Sequence, residues 1–177
     1  MILRYILSAI FALIVMIIQF FFSWLIAAFV KEDGHYPAML KIFEPYDTLA
    51  TGDQMFWDNE MAGITSNYRR ALAWGMRNCG YGAMGYMGFR AADVRDATST
   101  GTEVDIGDWG YTLGTVYRTV KSSGTKYFDY KHAGRWSENY GWMIQFGWSL
   151  NFNCYTRGDI RRLCLDIRPR IKLEQKP

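Results

Sequence analysis

The chain has 177 residues, half of them hydrophobic and 17% aromatic, with a net charge of +3. That length suits one domain, and that apolar content excludes a chain disordered over most of its length. Three cysteines in no repeated spacing (Cys79, Cys154, Cys164) argue against a disulfide framework and fit a reduced, cytosol-facing domain best, with a periplasmic domain holding one pair and one spare thiol as the alternative.

The first element is the plainest. From Tyr5 to Val30 no side chain is charged, and Gln19 is the one strongly polar group. As a helix this run would reach about 39 Å, more than the roughly 30 Å of hydrocarbon in a bilayer. Arg4 and Lys31 bracket it, and Tyr5 and Trp24 are aromatic residues of the kind that favour the headgroup region. A cleavable signal peptide has an apolar core of about 7–15 residues, so a retained transmembrane anchor is expected over residues 1–31. The flanking Lys/Arg are nearly balanced. The expected placement is therefore a single pass through a cell's inner membrane, with the thiol-bearing C-terminal domain in the cytoplasm.

Residues 32–65 read as a membrane-proximal linker. Lys31-Glu32-Asp33-Gly34 marks the helix exit, and Pro37 and Pro45 bracket a short helical turn carrying Met39, Leu40 and Phe43. Residues 66–177 read as an α+β domain with a β-rich C-terminal half. A helix is expected over Ser66–Asn78, capped by Ser66 or Asn67. The glycine-rich run Cys79–Phe89 lacks phosphate-loop spacing and is expected to pack glycine backbone against aromatic rings. Asp93–Asp108 is polar and reads as an exposed loop.

Strands follow. Thr112–Val120 and Thr125–His132 flank Lys121-Ser122-Ser123-Gly124, a hairpin connection. Large apolar residues occupy every even position from Tyr140 to Phe152, a period-two pattern that predicts a strand with that face buried. In the last strand, Arg161–Leu173, Leu163, Leu165 and Ile167 alternate with Arg162, Arg168, Arg170 and Lys172. The basic row is expected to face outward, and Pro169 is expected to place the strand at a sheet edge. From Arg157 onward there are seven Lys/Arg and three Asp/Glu, a local basic excess suited to anionic lipid headgroups.

Chemistry is hard to find. His35 and His132 are the only histidines, and no Cys-x-x-Cys, His-Glu-x-x-His, Gly-x-Ser-x-Gly or dinucleotide fingerprint occurs. Asp53, Asp58 and Glu60 form a small acidic group, and Arg157-Gly158-Asp159 fits a turn as well as an adhesion motif. No catalytic residue, cofactor or metal is expected.

Two stretches resemble a known group. Tyr36-Pro37-Ala38-Met39-Leu40-Lys41-Ile42-Phe43-Glu44-Pro45-Tyr46-Asp47 carries a Pro-x-x-Leu-x-x-Phe-x-x-Pro-x-Asp pattern in outline. Trp74, Arg77, Asn78, Tyr81 and Gly82 carry Trp-x-x-Arg-Asn-x-x-Tyr-Gly. Both resemble small membrane-anchored proteins of tailed phages and prophages, themselves of unknown function. The resemblance is good over residues 36–90 and holds beyond them in outline only. It implies phage origin and membrane association, without an activity.

The expected role is a non-enzymatic binding protein at the host inner membrane. Trp74, Arg77, Asn78, Tyr81, Arg162, Arg168, Arg170 and Lys172 are its candidate binding residues. The expected partners are the lipid bilayer, a host or phage protein, and a second copy of the chain, with no specific nucleic acid. The alternatives are a superinfection-exclusion or lysis effector acting on the envelope, and a structural component of the virion. An enzyme working through Asp53, Asp58 or Glu60 is a weaker rival.

Overall fold

A computed structural model describes residues 1–90, 94–105, 112–150 and 160–172 of the chain, an α+β fold with one long apolar helix and an antiparallel sheet. Two compact units emerge: Ile6–Met87, and Met1–Tyr5 together with Gly88–Pro177.

The helical unit is organised by helix α1 (Ile2–Ala27), which contributes all but its first turn to it. It is long and apolar enough to cross a membrane, with a mean hydropathy of 2.5 over its best 18 residues. Only one stripe of α1 is buried: Ala12, Val15, Gln19, Ser23, Ile26 and Ala27, spaced three and four apart as one helix face requires. Gln19, 1% exposed, keys that stripe. Its Nε2 donates to the carbonyls of Phe43 (3.1 Å) and Gly75 (3.4 Å), and its Oε1 accepts from the Gly80 amide (2.8 Å). The Ser23 hydroxyl donates to the Gln19 carbonyl, a back-bond that bends helices, and the backbone leaves helical geometry at Phe22 beside it.

After α1, a 3-10 turn (Ala38–Phe43) lies between the two prolines as the sequence predicts. Helix α2 (Gln54–Asn59) starts on Asp53, whose carboxylate accepts from the Phe56 amide. Helix α3 (Asn67–Arg77) is capped by Ser66. Ile26 and Ala27 of α1 share a small core with Tyr36, Ala50 and Ala71. The glycine-rich run forms a further helix, α4 (Tyr81–Tyr86), which composition alone does not predict. Its glycines seat it on the preceding chain: a Cβ at Gly82 would lie 2.3 Å from the Glu44 carbonyl and 2.4 Å from that of Ile42. Gly85 packs on the Tyr46 ring, the glycine-on-aromatic contact expected.

The sheet unit holds β2 (Val94–Asp105), β3 (Thr112–Ser122), β4 (Thr125–Arg135), β5 (Tyr140–Trp148) and β7 (Leu163–Lys172), antiparallel in the order β2-β3-β4-β5-β7. A two-stranded ribbon pairs β1 (Phe89–Arg90) with β6 (Ile160–Arg161). The hairpin turns at Ser123-Gly124, and β7 with Pro169 is an edge, as predicted. Most of the stretch read as an exposed loop, Asp93–Asp108, is instead β2. Residues 96–101 are exposed and polar, so no apolar alternation announces the strand. It is held by the backbone ladder and by Thr98 Oγ1 against Thr119 Oγ1 at 2.7 Å. Gly101, with φ +108°, brings its backbone against the Thr115 carbonyl, where a Cβ would lie 2.0 Å away. Phe152, the Arg157–Asp159 turn and Leu173 lie outside the described residues.

The Gln19 seam makes a signed prediction. In a helix surrounded by lipid, Gln19→Leu would favour the folded protein by removing an amide from hydrocarbon. Here it removes the partner of the Gly80 amide and a donor to the Phe43 carbonyl, while the Gly75 carbonyl keeps the Cys79 thiol; leaving a buried amide unsatisfied costs about 1–3 kcal/mol. Q19L is therefore expected to melt several degrees below wild type in detergent, read by circular dichroism.

Candidate functional site

The sheet unit presents its side chains in the expected sense at one end, where Trp148, Leu150 and Leu163 are buried, and contrary to it at the other. Antiparallel register places Tyr117, Tyr130, Phe146 and Leu165 in one row across β3, β4, β5 and β7. The next row is Thr115, His132, Ile144 and Ile167. This apolar and aromatic face is the open one: Leu165 is 43% and Ile167 63% exposed, and Trp142, Ile144 and Phe146 are only half-buried. The opposite face carries Val116, Lys131, Gln145 and Asp166 in one row, and Arg118, Asp129, Gly147 and Cys164 in another. Arg118, Asp129, Lys131 and Cys164 are all buried. Period two correctly predicts which residues share a face; the face expected to be buried is closed at one end, where Trp148, Leu150 and Leu163 are fully buried, and open at the other, at Leu165 and Ile167.

Charge is accommodated inside because it is paired. Asp129, 1% exposed, faces the Arg118 guanidinium at 3.3 Å, accepts from Gln145 Nε2 at 2.8 Å and from the Leu150 amide at 3.3 Å. Burial raises its pKa above the ordinary carboxylate value, and the Gln145 hydrogen bond, Arg118 and the Leu150 amide oppose that rise. Burial also pushes the Cys164 thiol up to about 12, which leaves it protonated and unreactive at neutral pH.

The open face ends in a groove of about 260 Å³ lined by Trp136, Trp142, Met143, Ile144, Ile167 and Pro169, with Arg168 at its side. Trp136 is fixed by its indole nitrogen, which donates to the Pro169 carbonyl at 2.8 Å, and Trp142 lies edge-on to His132. His132 Nδ1 meets Thr115 Oγ1 at 2.6 Å. Arg170 is exposed, its guanidinium 4.1 Å over the Tyr140 ring. Aromatic floor and basic rim are therefore contiguous on β5 and β7.

The eight predicted binding residues fall into two groups, one in each unit. In the helical unit, Trp74 is buried against Phe56, with its indole nitrogen donating to Thr48 Oγ1 at 3.2 Å. Arg77 pairs with Glu60 and lies over the Trp74 ring. Asn78 closes α3 by donating to the Trp74 carbonyl, and Tyr81 stacks on Tyr46. The Trp-x-x-Arg-Asn-x-x-Tyr-Gly pattern is thus spent on folding this unit. In the sheet unit, Arg162 is half-buried, and Arg168 grips Asp166 through Nε and a terminal nitrogen at 2.7–3.0 Å. Arg170 presents an exposed charge, and the Lys172 side chain lies outside the described residues.

Asp53, Asp58 and Glu60 are not assembled for acid–base work: Asp53 caps α2, Asp58 accepts from Gln54, and Glu60 pairs with Arg77. Sequence reasoning missed Glu44. Only 6% exposed, it binds the Tyr36 amide at 2.8 Å, His35 Nδ1 at 2.7 Å and Lys41 Nζ at 2.6 Å. These contacts clasp the 3-10 turn, and the Glu44 charge and burial together push the Tyr36 hydroxyl to about 12. The Pro-bracketed spacing of Lys41 and Glu44, i and i+3, was the available signal. Among the described residues no three His, Cys, Asp or Glu side chains gather as a metal site.

A family model described as "Family of unknown function (DUF7338)" matches residues 1–173. No curated protein and no solved structure matches the chain.

The buried carboxylate yields a stability test. Asp129→Ala leaves Arg118 buried without its carboxylate, and breaking such a pair costs about 3–5 kcal/mol, readable as a large drop in melting temperature at pH 7. The pH sense is also fixed. The folded pKa of Asp129 is raised, so its contribution to stability is greatest below the unfolded carboxylate value of about 3.9 and falls as pH rises through the folded pKa. Asp129→Asn is expected to abolish that fall over the same window.

Proposed function

Since the chain belongs to this family of unknown function, we propose from its residues that it is a phage-encoded, membrane-attached accessory protein that binds rather than catalyses. It sits at the inner membrane of the host, attached through α1, with its sheet domain on the cytoplasmic side. The open apolar face of the sheet, rimmed by Arg168 and Arg170, is the surface that works there.

One observation carries this reading: beside the groove the sheet buries Asp129, Arg118 and Lys131 yet leaves Leu165 and Ile167 exposed and Trp142, Ile144 and Phe146 half-buried. In water that arrangement leaves apolar area exposed at a cost of roughly 25 cal/mol per Å², and contiguous exposed apolar patches mark membrane or protein interaction sites. Anionic headgroups match both parts of the site. Trp136, Trp142 and Tyr140 suit the amphipathic interface, and Arg170 suits the negative surface potential of a cytoplasmic leaflet. Asp53, Asp58 and Glu60 are engaged in a helix cap, a hydrogen bond from Gln54 and an ion pair with Arg77.

The test uses the full chain in vesicles with and without anionic phospholipid. Each basic residue near such a surface is worth about 1 kcal/mol. Amide hydrogen exchange in the peptide covering 160–172 is expected to slow when anionic lipid is added. Arg170→Glu with Lys172→Glu is expected to remove that protection without lowering the melting temperature. Identical exchange in neutral and anionic vesicles would reject a lipid-facing role for this surface.

A further inference from the structure

We propose that α1 does not cross the bilayer but lies along it, with its exposed face in the hydrocarbon of one leaflet and its Gln19 stripe clamped by the protein. The proposal rests on the reading that α1 is lipid-bound and specifies its geometry.

The first turn of α1 carries the decisive contacts. Within the sheet unit, the Arg4 guanidinium donates to the Tyr127 hydroxyl at 2.9 Å and stands 4.5 Å from the centre of the Tyr127 ring. The Tyr5 hydroxyl donates to the Cys164 carbonyl at 3.1 Å, and its ring meets Phe128 and Trp148 edge-on at 5.3 and 5.7 Å. All of these partners follow α1 in the chain. A helix crossing the membrane sets its first turn roughly 30 Å of hydrocarbon away from everything that emerges at its other end. With one crossing, Arg4 would be on the far side from Tyr127 and Cys164. Crossing and these contacts exclude each other.

The remainder of α1 gives the same answer independently. Within the helical unit, Gln19 is hydrogen-bonded to Phe43, Gly75 and Gly80, and Met16 packs against Gly80. Gly80 comes three residues after Arg77, which is ion-paired with Glu60 in an exposed position. Gln19 sits eight residues, about 12 Å, inside the end of α1. A crossing helix would draw that charged pair toward the membrane interior, where ionised side chains are strongly disfavoured.

An in-plane helix meets both constraints. The buried positions Ala12, Val15, Gln19, Ser23 and Ile26 form one stripe. The surface turned away from it carries Ile10, Ile14, Ile17, Phe21, Trp24 and Leu25, all at least 43% exposed. An interfacial helix ordinarily keeps a charged face in water and buries its apolar face about 5–10 Å deep. Here the folded protein occupies the place of the charged face, so the whole free surface of α1 can be apolar.

The experiment places an epitope tag at each end of the full chain, expresses it in bacteria, and treats spheroplasts and inverted membrane vesicles with protease. The expected result is a chain that sediments with membranes in high salt, with both tags digested from the cytoplasmic side only. Tags digested from opposite sides would overturn the in-plane geometry while leaving membrane attachment intact. A chain in the soluble fraction, including one that buries α1 against a second copy, would overturn both. A second readout is Arg4→Ala, expected to lower the melting temperature in detergent by about 2–4 °C. An unchanged melting temperature would show that the first turn is not held by the sheet and would count against the proposal.

Discussion

A carboxamide buried in an apolar helix needs hydrogen-bond partners, and Gln19 finds them in segments that follow it by 24 to 61 residues. This requirement fixes the rotation of α1 about its axis, because only one stripe can face Phe43, Gly75 and Gly80 together. Much of the helical unit follows from it. Gly75 presents its carbonyl, and Gly80, in a left-handed conformation, turns its amide toward the helix. Ser23, one turn on, bends α1 at Phe22, next to the small core that Ile26 and Ala27 build with Tyr36, Ala50 and Ala71. Leucine at position 19 would fit the composition of the helix better and the structure worse.

The sheet solves a related problem with charge. Asp129 can be buried because three donors converge on it, on a face it shares with Tyr127 and Val120. Interior charge pairs are seldom the most stable option, since well-packed apolar residues often serve as well or better. Their presence inside, with Leu165 and Ile167 outside, therefore needs a reason other than stability in water. An environment that rewards apolar surface supplies that reason.

Much of this architecture was legible in the residues. The long apolar helix, the Ser66 cap, the hairpin at Ser123-Gly124 and the edge position of Pro169 each rest on a local rule that tertiary context did not override. The failures are instructive. In strand β2 residues 96–101 are polar and exposed, so neither face carried a pattern there. Helix α4 depends on Gly82 fitting beneath two carbonyls, a contact between segments about forty residues apart. Alternation in β5 and β7 identified the two faces, but not that the apolar one would be buried at Trp148 and Leu163 and open at Leu165 and Ile167. Of the candidate binding residues, Trp74, Arg77, Asn78 and Tyr81 are occupied in packing and pairing. Arg170 remains exposed because it sits on an edge strand whose neighbour on one side is solvent or lipid.

The two units, taken separately, show the same inversion. In one, the single strongly polar side chain of α1 faces the protein while isoleucine, leucine and phenylalanine face away. In the other, Arg118, Asp129 and Lys131 are closed in with Trp148 and Leu163, while Leu165, Ile167 and Trp136 are left open. Scattered exposed apolar residues are ordinary on any protein and carry no message. An inversion organised by helical period in one unit and strand period in the other is different, because each requires its polar groups to be satisfied internally. Internal satisfaction of buried polar groups is required in either medium; what hydrocarbon adds is a reward for the apolar surface left outside. That shared pattern, more than the length of α1, is what the proposed attachment to lipid rests on.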